Sequence, residues 1–151
     1  MIKNIKSKMN NQKSKIDFYT IEKNSDVQID YVGSIKAGFP SPANDFLKEK
    51  IDLNRYVSLH PDATYYAKVD GISMEGEFSD GDLLVIDKSI EPIDGKIAVC
   101  YIDGEFTVKR IKIEDKSCLL IPTNSDFPII EVTEGSQFQI WGVVSYVIKK
   151  V

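Results

Sequence analysis

The chain has 151 residues, 42% of them apolar and 28% charged, with a formal net charge of −4. That is enough chain for one domain with a real hydrophobic core and an appended arm. No apolar run approaches the roughly 18 to 20 residues of a membrane span, and the basic segment Met1 to Lys15 lacks the apolar centre of a signal peptide. A cytoplasmic protein with no membrane contact is expected.

Two cysteines, Cys100 and Cys118, are too few for a disulfide framework, and Cys100 lies in an apolar run where a free thiol acts as a small hydrophobe. His60 is the single histidine and has no cysteine nearby in sequence, so neither a metal site nor a cofactor is expected. Its neighbours Leu59 and Pro61 give no sign of a histidine-based triad. Charge is unevenly divided. Residues 1–37 carry seven Lys and four acids, a net of +3, whereas residues 38–151 carry twelve Lys or Arg and nineteen acids, a net of −7. An acidic body is a poor phosphate-binding surface, so direct sequence-specific DNA binding is not expected, and any role around DNA would run through protein partners.

In chain order, Met1 to Lys15 holds five lysines and few apolar residues and is expected to be mostly disordered. The alternation Val27-x-Ile29-x-Tyr31 suits a strand docked on a sheet edge. No pair of amphipathic helices occurs in this arm, which argues against a helix-turn-helix. Gly38-Phe39-Pro40-Ser41-Pro42 is hostile to helix and reads as a boundary, dividing an arm (1–37) from a domain (38–151). A short helix is predicted after Pro42, with Phe46, Leu47, Lys50 and Ile51 along one side, and Asn54 could cap a second brief turn through Leu59.

From Thr64 the pattern is β. Strands are predicted at Tyr65–Val69, Leu83–Asp87, Lys96–Ile102, Glu105–Ile113, Cys118–Ile121, Ile129–Val132 and Gln137–Lys149, with Asp103-Gly104 as a tight hairpin turn. The fold class is mainly β: a compact, mostly antiparallel sheet or partly closed barrel with one or two short helices. The last strand is apolar on both faces, Ile140, Val144, Tyr146 and Ile148 on one and Trp141, Val143 and Val147 on the other. It is expected to be buried in the core or in a dimer interface.

Two positions carry candidate chemistry. Gly71-Ile72-Ser73-Met74, followed by Ser79-Asp80-Gly81-Asp82, is a turn that can expose the Ser73 hydroxyl and aim backbone amides, those of Gly71 and Ser73, at one spot as an oxyanion hole. Serine, aspartate and glycine also favour turns for local reasons alone, so this stretch by itself does not mark a nucleophile. The strand Glu105–Ile113 supplies the second observation. With a period of two, Thr107, Lys109, Ile111 and Ile113 share a face, so Lys109 points with isoleucines toward the buried side. Such a lysine either snorkels past the sheet edge or serves as a general base. A free lysine titrates near ~10.4, and lowering that by ~3 units takes roughly 4 kcal/mol of differential solvation.

The stretches Gly71-Ile72-Ser73-Met74 with Ser79-Asp80-Gly81-Asp82, and Asp103-Gly104-Glu105-Phe106-Thr107-Val108-Lys109-Arg110, resemble the self-cleaving Ser-Lys peptidases of the LexA/UmuD family. Gly38 to Ala43, Ile51-Asp52-Leu53-Asn54, His60-Pro61, Ala63-Thr64-Tyr65, and Leu120-Ile121-Pro122 with Asn124-Ser125 match its UmuD branch in the same order, over about residues 37 to 149. The resemblance implies a β-rich peptidase fold, Ser73 as nucleophile, Lys109 as general base, and self-cleavage between Ala37 and Gly38. It further implies a homodimer whose cleavage is stimulated by a RecA filament on single-stranded DNA. The cut form would then serve a UmuC-type translesion polymerase in the SOS response. The alternatives are a LexA- or phage-type regulator without its own DNA-binding domain, a signal-peptidase-like enzyme, and a dimeric regulator with a decayed site. The arm is longer than the UmuD branch leads one to expect, and Glu75 and Glu77 add negative charge beside Ser73, which favours a protonated lysine.

Overall fold

The computed structural model describes residues 2–4, 17–21, 29–31 and 49–151. The boundary at Gly38–Pro42, the Ala37–Gly38 bond and the start of the helix predicted after Pro42 lie outside the described residues.

Strands occupy Ile2–Asn4 (β1), Asp17–Ile21 (β2), Ile29–Tyr31 (β3), Glu49–Ile51 (β4), Thr64–Lys68 (β5), Leu83–Asp87 (β6), Ile97–Ile102 (β7), Glu105–Ile113 (β8), Cys118–Ile121 (β9), Ile130–Val132 (β10) and Phe138–Ile148 (β11). From residue 64 onward these follow the predicted segments to within one residue at each end. Nine strands form one sheet in the order β1-β2-β5-β6-β11-β7-β8-β9-β10, and β3 and β4 form a separate pair. Adjacent strands in the described residues pair antiparallel, both where they are consecutive in the chain, as in β7–β8–β9, and where they are distant, as in β6–β11–β7. The β7–β8 turn has Asp103 at φ 47° and Gly104 at φ 91°, the two positive φ values that let a two-residue loop follow the twist of its strands.

Ile2–Asn4 is a strand paired with β2. Three expectations for the residues up to Val57 need correction. The arm strand that pairs with β5 of the large sheet is β2, whose Phe18 and Tyr19 pack against the core, and β1 lies outside it at the sheet's edge. The Ile29–Tyr31 segment pairs instead with β4. Lys50 and Ile51, predicted in a helix, belong to β4, since a neighbouring strand satisfies their backbone groups at once. The following helix α1 (Leu53–Val57) is capped by Asp52, whose Oδ1 accepts the Asn54 N–H at 2.9 Å. Asp52 precedes the first helical turn and so can reach that N–H, whereas Asn54 already lies inside the helix.

Strand β11 is central, hydrogen-bonded to β6 on one side and β7 on the other. Ile140, Trp141, Val143 and Val144 are packed in the interior of this chain, whereas Tyr146 and Val147, expected to be buried, are 41% and 37% exposed. The simple alternation fails along it, because Trp141 is an extra residue between the pairs Ile140–Cys100 and Gly142–Val99, and Ser145 is another between Val144–Ile86 and Tyr146–Val85. Each β-bulge shifts the facing by one. Ile140 thus joins the cluster of Ala98, Cys100, Ile111, Leu120 and Val132, while Val144 and Trp141 join that of Ala67, Met74, Phe78, Leu84, Ile86, Val99 and Val108. Both sides of the sheet are apolar, so Phe106 and Val108 are packed rather than solvated. Lys109 lies on the Ala98–Ile111 side.

Candidate active site

The Ser73 turn is held by its own ends. The Val69 N–H donates to the Asp82 carbonyl and the Gly81 N–H to that of Val69, both at 2.9 Å, which closes residues 69–82 into a loop. Inside it, Met74 and Phe78 are each only 2% exposed. These two side chains anchor the loop in the core and leave the intervening polar residues outside. Asp80 and Asp82 fix the backbone: Asp80 Oδ1 accepts the Gly71 N–H at 2.8 Å, and Asp82 Oδ2 accepts the Ser79 N–H at 2.7 Å. Gly71 adopts φ 124°, a conformation closed to most side chains. Ser73 is left half-buried at the bend.

Lys109 enters from β8, paired with Ala98 of β7 and 6% exposed. Its Nζ lies 2.9 Å from Ser73 Oγ, 2.8 Å from Thr107 Oγ1 and 3.0 Å from the Val108 carbonyl. A neutral amine in this position donates its two N–H groups to Thr107 Oγ1 and the Val108 carbonyl and turns its lone pair on the Ser73 O–H. The arrangement can accept a proton from a hydroxyl that attacks a carbonyl. Glu77, a source of unfavourable charge in the sequence, forms an ion pair with Arg110, whose guanidinium also donates to the Gly95 carbonyl. The pair ties the serine loop to the lysine strand.

Of the two amides considered for an oxyanion hole, that of Gly71 is engaged by Asp80, so it can serve only if that bond is released. Ala37 and Gly38 lie outside the described residues. His60 Nδ1 is 3.0 Å from Asp87 Oδ2 and 2.9 Å from Ser89 Oγ. Both partners address the same ring nitrogen, so these three residues cannot relay a proton as a triad does. Burial alone would raise the Asp87 carboxyl, but hydrogen bonds from Ser89 and His60 outweigh it and hold the group below its ordinary value. Cys100, fully buried, is pushed up to about 12 by desolvation first, then by Cys118, with Lys109 opposing, which makes it inert. Among the described residues no cluster of three or more His, Cys, Asp or Glu could hold a metal, and no helix is long and apolar enough to cross a membrane.

The family model for "Peptidase S24-like" matches residues 30–145. The chain belongs to the S24-like peptidase family. Among its relatives is Protein MucA of Salmonella typhimurium, 44% identical over 118 residues, covering 77% of this chain and 80% of that one. Protein SamA of Salmonella typhimurium (strain LT2) is 44% identical over 115 residues, 76% and 79% of the two chains. The LexA repressor of Paracidovorax citrulli is 34% identical over 121 residues, 79% of this chain and 53% of the repressor. The mainly antiparallel β architecture is that of the S24-like fold, and the family is one of self-cleaving serine peptidases.

Two residues at this S24-like site were given no role by the sequence. Thr107 was placed on the Lys109 face by strand periodicity alone, and that was the available signal. Asn124, singled out only within the resemblance, reaches the serine turn from the loop after β9. Its backbone N–H donates to the Ser73 carbonyl at 3.0 Å and its Nδ2 to the Ile72 carbonyl at 3.1 Å. Its own Oδ1 accepts the Asp126 N–H at 3.0 Å, which fixes the rotamer. Asn124 is thus a positioning residue for the bend. Asn124→Ala is expected to slow self-cleavage about 10- to 100-fold by loosening Ser73, with the pH dependence of the rate unchanged. Single-turnover cleavage across a pH series checks this; a wild-type rate would remove the role.

Proposed function

We propose that this chain cleaves itself at Ala37–Gly38, with Ser73 as nucleophile and Lys109 as general base, and that residues 38–151 are the working form. The observation that carries this reading is the 2.9 Å approach of the buried Lys109 Nζ to Ser73 Oγ. Ser73 Oγ bonds to the Ala37 carbonyl carbon as its proton passes to the amine. The C–N bond then breaks, Lys109 returns the proton to the Gly38 amine, and water hydrolyses the Ala37 ester to regenerate Ser73. Gly38 presents no side chain to obstruct the close approach of its backbone.

The relatives support a reading of the role in the cell. The chain is more similar to MucA and SamA, at 44% identity, than to the LexA repressor at 34%. This favours a UmuD-type SOS protein, working as a homodimer in the cytoplasm. Contact with a RecA filament on single-stranded DNA stimulates the cut, and the product is the accessory subunit of a UmuC-type error-prone polymerase. The body's net charge of −7 fits contact with protein rather than DNA.

Intact-mass measurement after incubation with RecA, nucleotide and single-stranded DNA tests the proposal. The expected result is a pair of fragments of 37 and 114 residues, absent from Ser73→Ala. An unchanged full-length mass, or a cut elsewhere, would overturn it.

A further inference from the structure

Strand β5 has β6 on one edge and β2 on the other, and β2 belongs to the segment that the proposed cut severs. The β2 edge is a built binding site. Four register pairs join it to β5: Asp17–Lys68, Phe18–Ala67, Tyr19–Tyr66 and Thr20–Tyr65. The Phe18 ring packs 4.5 Å from Trp141 and 5.0 Å from Phe106, and Tyr65 lies 5.0 Å from Trp141. Ala67, opposite Phe18, is fully buried and small, leaving room for that ring. Trp141 reaches this place because it is the extra residue of the β11 bulge. Tyr19 packs elsewhere, with Val57, Tyr66 and Val85, so one strand serves two apolar clusters.

We propose that the β5 edge, with its wall of Tyr65, Phe106 and Trp141, is a strand-docking surface for an extended partner segment that sets an aromatic residue opposite Ala67. Strand β2 is its resident occupant until the chain is cut. Backbone pairing supplies affinity and the aromatic pit supplies selectivity. While the chain is intact, β2 is covalently tethered to the domain, so its pairing with β5 is intramolecular and outcompetes a dilute free segment. Cutting at Ala37–Gly38 turns β2 into a dilute ligand and opens the edge to exchange. The inference rests on that cut for its role in the cell, but the site can be tested without it.

In a full-length Ser73→Ala chain, residues 35–40 are replaced by the recognition sequence of a site-specific protease, so that severing does not depend on the dyad. The probe is a fluorescently labelled peptide of residues 15–23. It is expected to bind the severed protein saturably, to bind the unsevered protein not at all, and to alter the emission of Trp141, the single tryptophan. The same peptide with Phe18→Ala is expected to bind at least ~10-fold more weakly. Because the deciding change is in the peptide, the protein's folding is not at stake. Absence of binding to the severed protein, equal binding to severed and unsevered protein, or indifference to Phe18→Ala would each overturn the proposal. Failure of self-cleavage in the wild type would overturn only the processing reading.

Discussion

Replacing Lys109 by alanine is expected to lower the rate of self-cleavage about 1,000-fold or more at neutral pH, within the range that general bases supply. Ser73→Ala is expected to abolish it. Lys109 is buried beside Ala98 and Ile111, so its loss leaves a void and deprives Thr107 of a partner. Lys109→Met keeps the volume without the amine and separates chemistry from packing: it should be as slow as Lys109→Ala yet unfold closer to the wild type. The acceptor state is the neutral amine, whose population grows as pH rises. Cleavage without a stimulating partner should therefore accelerate from pH 7 to pH 10 in the wild type and stay slow and flat in Lys109→Met. A wild-type rate for Lys109→Ala at pH 7 would end the assignment.

What the sequence could say about this site came from two periodicities. Alternation along Glu105–Ile113 set Lys109 beside Thr107 and Ile111 and away from Arg110, and Gly and Asp marked the turn at Ser73. Both features are local, and local features survive folding. What was not legible depends on contacts distant in sequence. That Asp80 occupies the Gly71 amide, that Asn124 grips the turn from about fifty residues away, and that Glu77 spends its charge on Arg110 are facts of the assembled sheet.

The same division holds for the fold. Strand limits after Thr64 could be read because turns and alternating residues bound them. The arm was harder: Val27-x-Ile29-x-Tyr31 alternates as a docking strand should, yet the place beside β5 goes to the segment whose Phe18 fills the pit around Trp141. Along β11 the alternation misled, because nothing in Ile140-Trp141-Gly142 announces which residue is the extra one.

That bulge is the basis of the second large effect expected here. Gly142→Ala should destabilise the protein by about 1–3 kcal/mol, the usual cost of overpacking a close-packed core. A Cβ at this position would stand 2.6 Å from Ile86 Cγ2 and 3.3 Å from Lys88 Cγ. Ile86 is fully buried in the main cluster, and β6 and β7 hold β11 from both sides, so neither backbone nor side chain can yield freely. Gly142 is not among the glycines with positive φ. Backbone entropy alone would thus make alanine stabilising, by about 0.4–1 kcal/mol, and the sign of the measured change reports which effect wins. A loss of this size lowers the thermal midpoint by roughly 2–12 °C for a chain of this length. Shortening the obstructing side chain is the control. Ile86→Ala is itself costly, about 2–5 kcal/mol, but Gly142→Ala added to it should cost much less than in the wild type, because the methyl group it meets is gone. Additive losses in the double mutant, or a neutral Gly142→Ala, would mean that the close approach at the bulge is not what requires glycine there.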